Sequence, residues 1–130
     1  MKQKKRSRKW KLMIVESDVL MRPWLAKILS EHDVLVASNG EQALAFVHLH
    51  SPIHLVICDH DLPGWDGLET LNRIRAKSPK TKLMLMSERD PYQLTPHAHE
   101  AKGIAWLNKP ISLYNLFQWV NHLLSNQKMK

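Results

Sequence analysis

Residues 53–67 limit the fold of this chain more than any other stretch. Ile53, Leu55, Val56 and Ile57 make an apolar run rich in β-branched residues that stops at Asp59. Asp61, Pro63, Gly64 and Gly67 follow, and the interior of a strand accepts neither proline nor a run of turn residues. A short apolar run closed by such signals predicts a strand buried on both faces, as in a parallel sheet. Asp59 then stands at the carboxyl end of that strand, on the edge of an open α/β sheet where ligands and chemistry are found. The plainer alternative is a loop aspartate that caps the next helix.

The rest of the chain alternates in the way such a strand requires. Residues 11–15 form a second apolar run that also ends in acid, at Glu16-Ser17-Asp18. Leu20, Trp24, Leu25, Ile28 and Leu29 recur at helical spacing, predicting a helix over residues 19–31, capped by Ser17 or Asp18 and with Pro23 in its first turn. A strand over 33–37 and a helix over 41–50 flank the break at Ser38-Asn39-Gly40. After the central strand come an amphipathic helix over 67–76 and a strand over 81–86 ending in Ser87. Residues 88–95 are expected to be irregular, because Pro91 and Pro96 forbid one long helix. A short fourth helix is predicted over 96–102, with Thr95 as its cap. The fifth strand, residues 104–107, ends at Asn108-Lys109-Pro110. Ser112 caps a last helix to about Ser125, with Leu113, Leu116, Phe117, Val120 and Leu124 turned inward. Five strands alternating with five helices imply an α/β fold: a doubly wound parallel sheet with helices on both faces.

At 130 residues and 44% apolar composition the chain suits one domain with a real core. The expected divisions are a basic arm over 1–10, a folded domain over 11–126 and a ragged end over 127–130. Six of the nineteen Lys and Arg residues lie in the first nine positions, so most of the net charge of +7 belongs to the arm and the remainder sits near +1. A solvated tail, or a weak contact of that tail with nucleic acid or another polyanion, accounts for the basicity. No run approaches the roughly 20 apolar residues of a membrane span, and no signal-peptide core follows the arm, so a cytoplasmic location is expected. Cys58, the single cysteine, lies inside the central strand, where a core thiol is expected. His48-x-His50 and His97-x-His99 place each pair on different faces of a helix, which argues against shared metal ligands.

The ends of the strands spell out a chemistry. In order they deliver Glu16 and Ser17, Asp59, Ser87 and Lys109. If Glu16 and Asp59 face each other, two carboxylates a few Å apart repel by about 4 kcal/mol at an effective dielectric near 20, unless a cation separates them. A hard divalent ion with oxygen ligands, Mg2+ above all, meets that demand. Carboxylate, hard metal, hydroxyl and lysine together suit a transferable phosphoryl group, with Asp59 as nucleophile.

These motifs, in this order and at these intervals, resemble the receiver domain of two-component response regulators over about residues 11–126. The quoted residues are Glu16-Ser17, Asp59-His60-Asp61-Leu62-Pro63-Gly64-Trp65-Asp66-Gly67, Ser87 and Lys109-Pro110. The resemblance implies a flavodoxin-like strand order 2-1-3-4-5, the order of chemotaxis receivers. It implies that Asp59 accepts a phosphoryl group from a histidine kinase or phosphotransfer protein. Mg2+ would be held by Glu16, Asp59 and the backbone carbonyl of Asp61, with Ser17 beside them. Ser87 and Trp106 would act as the switch pair, Lys109 would pair with the phosphoryl group, and Lys109-Pro110 would be a cis peptide. The output surface would be the fourth helix, fifth strand and fifth helix, presented to an effector protein or to a second copy of the chain. With no effector sequence after Lys130, the signal is expected to pass to a separate protein or to further chain. Such a domain is regulatory, and is an enzyme only in promoting its own phosphorylation and dephosphorylation.

The sequence also departs from that family. Ser17 stands where a second acid is usual, which predicts weaker Mg2+ binding. Glu88 follows Ser87 where a small residue is usual, and Arg89 and Asp61 occupy positions that tune phosphate loss, with an ion pair between them expected across the mouth. These departures keep open a degenerate receiver that binds proteins independently of phosphate. Asp59-x-Asp61 after a strand also resembles the haloacid dehalogenase hydrolases, which need more chain for a cap.

Overall fold

The computed structural model describes residues 9–95 and 97–125. The elements run β1 (Lys11–Val15), α1 (Met21–Ile28), β2 (Asp33–Ala37), α2 (Gly40–Leu49), β3 (Leu55–Asp59), α3 (Gly67–Lys77), β4 (Lys82–Ser87), α4 (Pro91–Leu94), α5 (Ala98–Ala101), β5 (Ile104–Asn108) and α6 (Leu113–Ser125). The five strands form one parallel sheet in the order β2-β1-β3-β4-β5. Every residue of β3 is buried, which explains the apolar run over residues 55–58, with Asp59 the buried charge at its end.

Alternation along the strands divides the core in two. Val56 and Cys58 face the layer of α2 and α3, with Ala43, Val47, Leu71 and Ile74. Leu55 and Ile57 face the layer of α1 and α6, with Leu25, Leu29, Leu116, Val120 and Leu124. Several helices start on side-chain caps: Asn39 Oδ1 accepts from Gln42 N at 2.8 Å, Asp66 Oδ1 from Glu69 N at 2.8 Å, and Ser112 Oγ from Asn115 N at 3.2 Å. Each satisfies an N–H that the first helical turn leaves without a partner.

The structure differs from the periodicity in three places. The first helix is shorter than residues 19–31; Asp18 Oδ1 accepts from Leu20 N at 2.7 Å and Met21 N at 3.1 Å, so the chain turns into α1 only at Met21. Leu20 and Trp24, read as core, are 79% and 41% exposed. On α6 the buried stripe is Leu116, Val120 and Leu124, while Leu113 and Phe117 are 41% and 40% exposed. Phe117 lies about 100° round the helix from Leu116, and Leu113 is the first residue of α6, ahead of its buried stripe. The third difference is α4. Asp90 Oδ1 accepts from Gln93 N at 3.0 Å and Gln93 Oε1 from Asp90 N at 3.1 Å, a reciprocal capping box that begins a helical turn inside the stretch expected to be irregular. The expected fourth helix over 96–102 is reduced to α5; Thr95 Oγ1 accepts from His97 N at 3.0 Å, and Pro96 lies outside the described residues. The expected arm over 1–10 and ragged end over 127–130 lie outside them too, save for Lys9 and Trp10.

Two imidazoles hold the entry of β1. His32 Nδ1 accepts from Trp10 N at 3.2 Å and His54 Nδ1 from Lys11 N at 3.0 Å. Burial lowers both imidazoles below their ordinary value of 6.5. A protonated Nδ1 cannot accept, and the unfolded chain takes the proton first, so stability is full above pH 6.5 and falls as the pH drops below it. Thermal unfolding at a series of pH values from 8 to 5 should show the parent losing stability relative to the His32→Gln/His54→Gln double variant as the pH falls.

Candidate functional site

Parallel pairing brings all strand ends to one edge, and hydrogen bonds just past the strands carry the register into the loops. Glu16 N donates to Ala37 O at 2.9 Å, His60 N to Met86 O at 2.9 Å and Lys109 N to Ser87 O at 2.9 Å. The side chains of Glu16, Asp59 and Ser87 are buried there although polar. Glu16, Ser17, Asp59, Asp61, Glu88 and Lys109 line one cleft of about 610 Å3.

Asp59 is the centre of its bonds. Lys109 Nζ sits 2.5 Å from Asp59 Oδ1, and Asp61 N donates to the same oxygen at 3.1 Å. Lys109 Nζ also lies 3.9 Å from Asp61 Oδ2. The Lys109–Pro110 peptide is cis, as is Ser51–Pro52. Glu16 Oε2 accepts from Asp18 N at 3.1 Å, and Arg22 braces the turn by donating to Glu16 O at 3.0 Å.

Electrostatics follow from this crowding. Burial pushes the Glu16 carboxyl up to about 7; the Asp18 N–H opposes this, and the charge and hydrogen bond of Asp59 add to it. Near neutrality the Glu16 carboxyl thus holds on to its proton more tightly than an exposed glutamate does. For Lys109, burial alone would lower the ammonium, but the carboxylates of Asp59, Glu16 and Asp61 outweigh it and raise the value. The N–H groups of Leu20 and Met21 hold Asp18 low. The Cys58 thiol is driven well up by burial, and it is inert at the back of the strand.

Ser87, Arg89 and Trp106 form a linked group at the rim. Ser87 Oγ accepts from Arg89 N at 3.0 Å, and Trp106 Nε1 donates to Arg89 O at 3.1 Å. Arg89 and Asp61 approach across the mouth at 4.0 Å, both more than half exposed, which makes this a weak pair. Met21, Trp24, Met86, Pro110 and Ile111 make an apolar wall to the cleft that the sequence did not signal. Met21 and Trp24 carry no motif, and only the path of α1 past the strand ends puts them there.

The donor chemistry suits a hard cation. Glu16 and Asp59 supply carboxylates, and the Ser17 hydroxyl and the backbone of Asp61 add neutral oxygens. Among the described residues no three Asp, Glu, His or Cys side chains converge as a ready metal cage, consistent with the serine at position 17.

The chain is similar to known proteins over most of its length. Residues 12–121 match the response regulator receiver domain. The chain is 30% identical over 118 residues to a cyclic di-GMP phosphodiesterase of Thermotoga maritima, covering 89% of this chain and 31% of that protein. It is 32% identical over 118 residues to the transcriptional activator protein ExaE of Pseudomonas putida, covering 88% of this chain and 55% of that protein. The chain therefore spans about a third and about half the length of these relatives. Among solved structures, the receiver domain of the hybrid histidine kinase CckA superposes with a TM-score of 0.73 at 28% identity, covering 88% of this chain and 98% of that one.

The acidic pair has a measurable signature. The folded Glu16 value of about 7 exceeds its ordinary 4.5, so its contribution to stability is present below pH 4.5 and lost as the pH rises through 7. Glu16→Gln should therefore gain stability over the parent between pH 5 and pH 8 in metal-free buffer, with the gain levelling off above. Chemical unfolding at a series of pH values measures it; a gap that does not widen with pH would contradict the raised Glu16 carboxyl.

Proposed function

The chain belongs to the response regulator receiver domain family of two-component signalling, and from that premise we propose that Asp59 accepts a phosphoryl group from a histidine kinase or phosphotransfer protein. The observation that carries this reading is the Lys109 ammonium seated on the Asp59 carboxylate in a cleft shared with Glu16. Lys109 and Asp61 N both engage Oδ1, which leaves Oδ2 to form the bond to phosphorus as the bond from phosphorus to the donor's imidazole nitrogen breaks. Lys109 orients the carboxylate through Oδ1 and pairs with the phosphoryl oxygens. Mg2+ held by Glu16, Asp59 and the carbonyl of Asp61 would supply charge neutralisation, weakened by the serine at position 17.

Ser87 then exchanges the Arg89 N–H for a phosphoryl oxygen, and the Arg89 carbonyl that holds Trp106 shifts with it. Phosphorylation biases two arrangements of that segment by binding one better than the other. The domain is regulatory, and its output passes through the surface of α4, α5, β5 and α6 to an effector or a second copy. No helix among the described residues is long and apolar enough to cross a membrane; a cytoplasmic site of action is part of this reading. A phosphate-independent binding module is the second reading, favoured by Ser17 and by Glu88 in the lining of the cleft.

Incubation with acetyl phosphate and Mg2+ should add one phosphoryl group by mass spectrometry, and Asp59→Ala should abolish the addition. Lys109→Ala should retain little of it. An unmodified parent chain that nevertheless captures a partner would favour the second reading.

A further inference from the structure

The loop between Asp59 and α3 is held from the side away from the cleft, by contacts that the proposed chemistry does not use. It closes on a single atom: His60 O accepts from Leu62 N at 3.0 Å and from Gly67 N at 2.9 Å. The tight turn around Asp61 and the first residue of α3 therefore hang from the same carbonyl. Gly67 is required at that closure, because a Cβ there would stand 2.6 Å from His60 Cα and meet the Asp59 carbonyl as well.

The outgoing limb of the loop passes through Gly64, at φ +77°, to Trp65. The half-buried Trp65 ring is covered on one face by the Arg73 guanidinium, 4.0 Å from the ring centroid. Glu69 fixes that guanidinium, accepting from Arg73 NH2 at 2.8 Å and Nε at 3.2 Å. On the α2 side the ring meets the bare start of the helix: a Cβ on Gly40 would lie 3.1 Å from Trp65 Cε3. Trp65 is thus wedged between α2 and α3 while its backbone belongs to the loop that presents Asp61.

We propose that Trp65 is a positioning residue for the cation site, holding the Asp61 segment in place from behind so that its backbone keeps its seat against Asp59 in the cleft shared with Glu16. This rests on the reading of that acidic pair as a divalent-cation site. With the wedge removed, the limb containing Gly64 gains freedom, and each binding event must reorder the carbonyl it needs. Partners behind a metal ligand are typically worth about 10- to 100-fold in affinity. A wedge that only stabilises the fold would lower the melting temperature and leave affinity unchanged.

Calorimetric titration with Mn2+ tests this on the parent chain, Trp65→Ala, Trp65→Phe and Arg73→Met. The expected result is Mn2+ binding by the parent, about tenfold or more weaker binding by Trp65→Ala, and recovery of most of the loss in Trp65→Phe. The Mg2+ concentration for half-maximal phosphorylation by acetyl phosphate should rise in parallel, with the rate at saturating Mg2+ unchanged. If Trp65→Ala does not fold, Arg73→Met, which uncovers the ring and leaves it in place, should still weaken Mn2+ binding. Parent-like affinity in Trp65→Ala, or in Arg73→Met where it alone folds, overturns the proposal alone. A parent chain without Mn2+ affinity overturns the cation reading and the proposal together.

Discussion

The ammonium of Lys109 lying 2.5 Å from the carboxylate of Asp59 is the interaction on which the rest of the structure depends. Asp59 is almost wholly buried and has Glu16 beside it, so without Lys109 the edge of the sheet would hold two carboxylates with little water to screen them. The fold answers this with geometry. A parallel sheet delivers every strand end to one side, and the ladder bonds that run past β1, β3 and β5 carry Glu16, His60 and Lys109 into their loops in register. The apolar layers on both faces exist to keep that edge in place.

The same pair connects the cleft to the outer surface. Asp61 stands 3.9 Å from Lys109 on one side and 4.0 Å from Arg89 on the other. The backbone of Arg89 in turn donates to Ser87 Oγ and accepts from the Trp106 indole. Two hydrogen bonds and one residue thus join Ser87 to Trp106. Around this path the segment between β4 and β5 is built from two four-residue helical turns, α4 and α5, and Asn72 Nδ2 on α3 ties the second by donating to Glu100 O at 2.9 Å. A surface assembled from short pieces has few internal bonds of its own and can be rearranged more easily than one long helix.

Much of this was legible in the residues. Strand positions followed from apolar runs, and their ends from the residues that cannot continue a strand: Asp59 before Pro63 and Gly64, Glu16 before Asp18, Asn108 before Pro110. Ser112 was read as a cap and serves as one; Asn39, read only as part of a break, and Asp66, read only as part of the loop after Asp59, cap α2 and α3 by the same local chemistry. The Asp90–Gln93 capping box was equally visible in the sequence but was overshadowed by the two prolines around it. Leu20, Trp24, Leu113 and Phe117 were read as core because periodicity records spacing and not what lies opposite. Which part of a helix is covered depends on neighbours from distant segments, and the ends of α1 and α6 run past theirs.

The chain by itself determined the alternation of strands and helices, the apolar character of both faces of β3 and the residue types at each strand end, because these depend on backbone sterics and on neighbours a few residues away. Only the tertiary structure decided that Oδ1 of Asp59 takes both Lys109 and Asp61 N, that Arg89 joins Ser87 to Trp106, that Met21 and Trp24 wall the cleft, and that Trp65 is caught between Gly40 and Arg73. The Lys109–Asp59, Trp106–Arg89 and Trp65–Gly40 contacts join residues far apart along the chain, and their geometry is set by strand register and helix rotation, which no local pattern encodes.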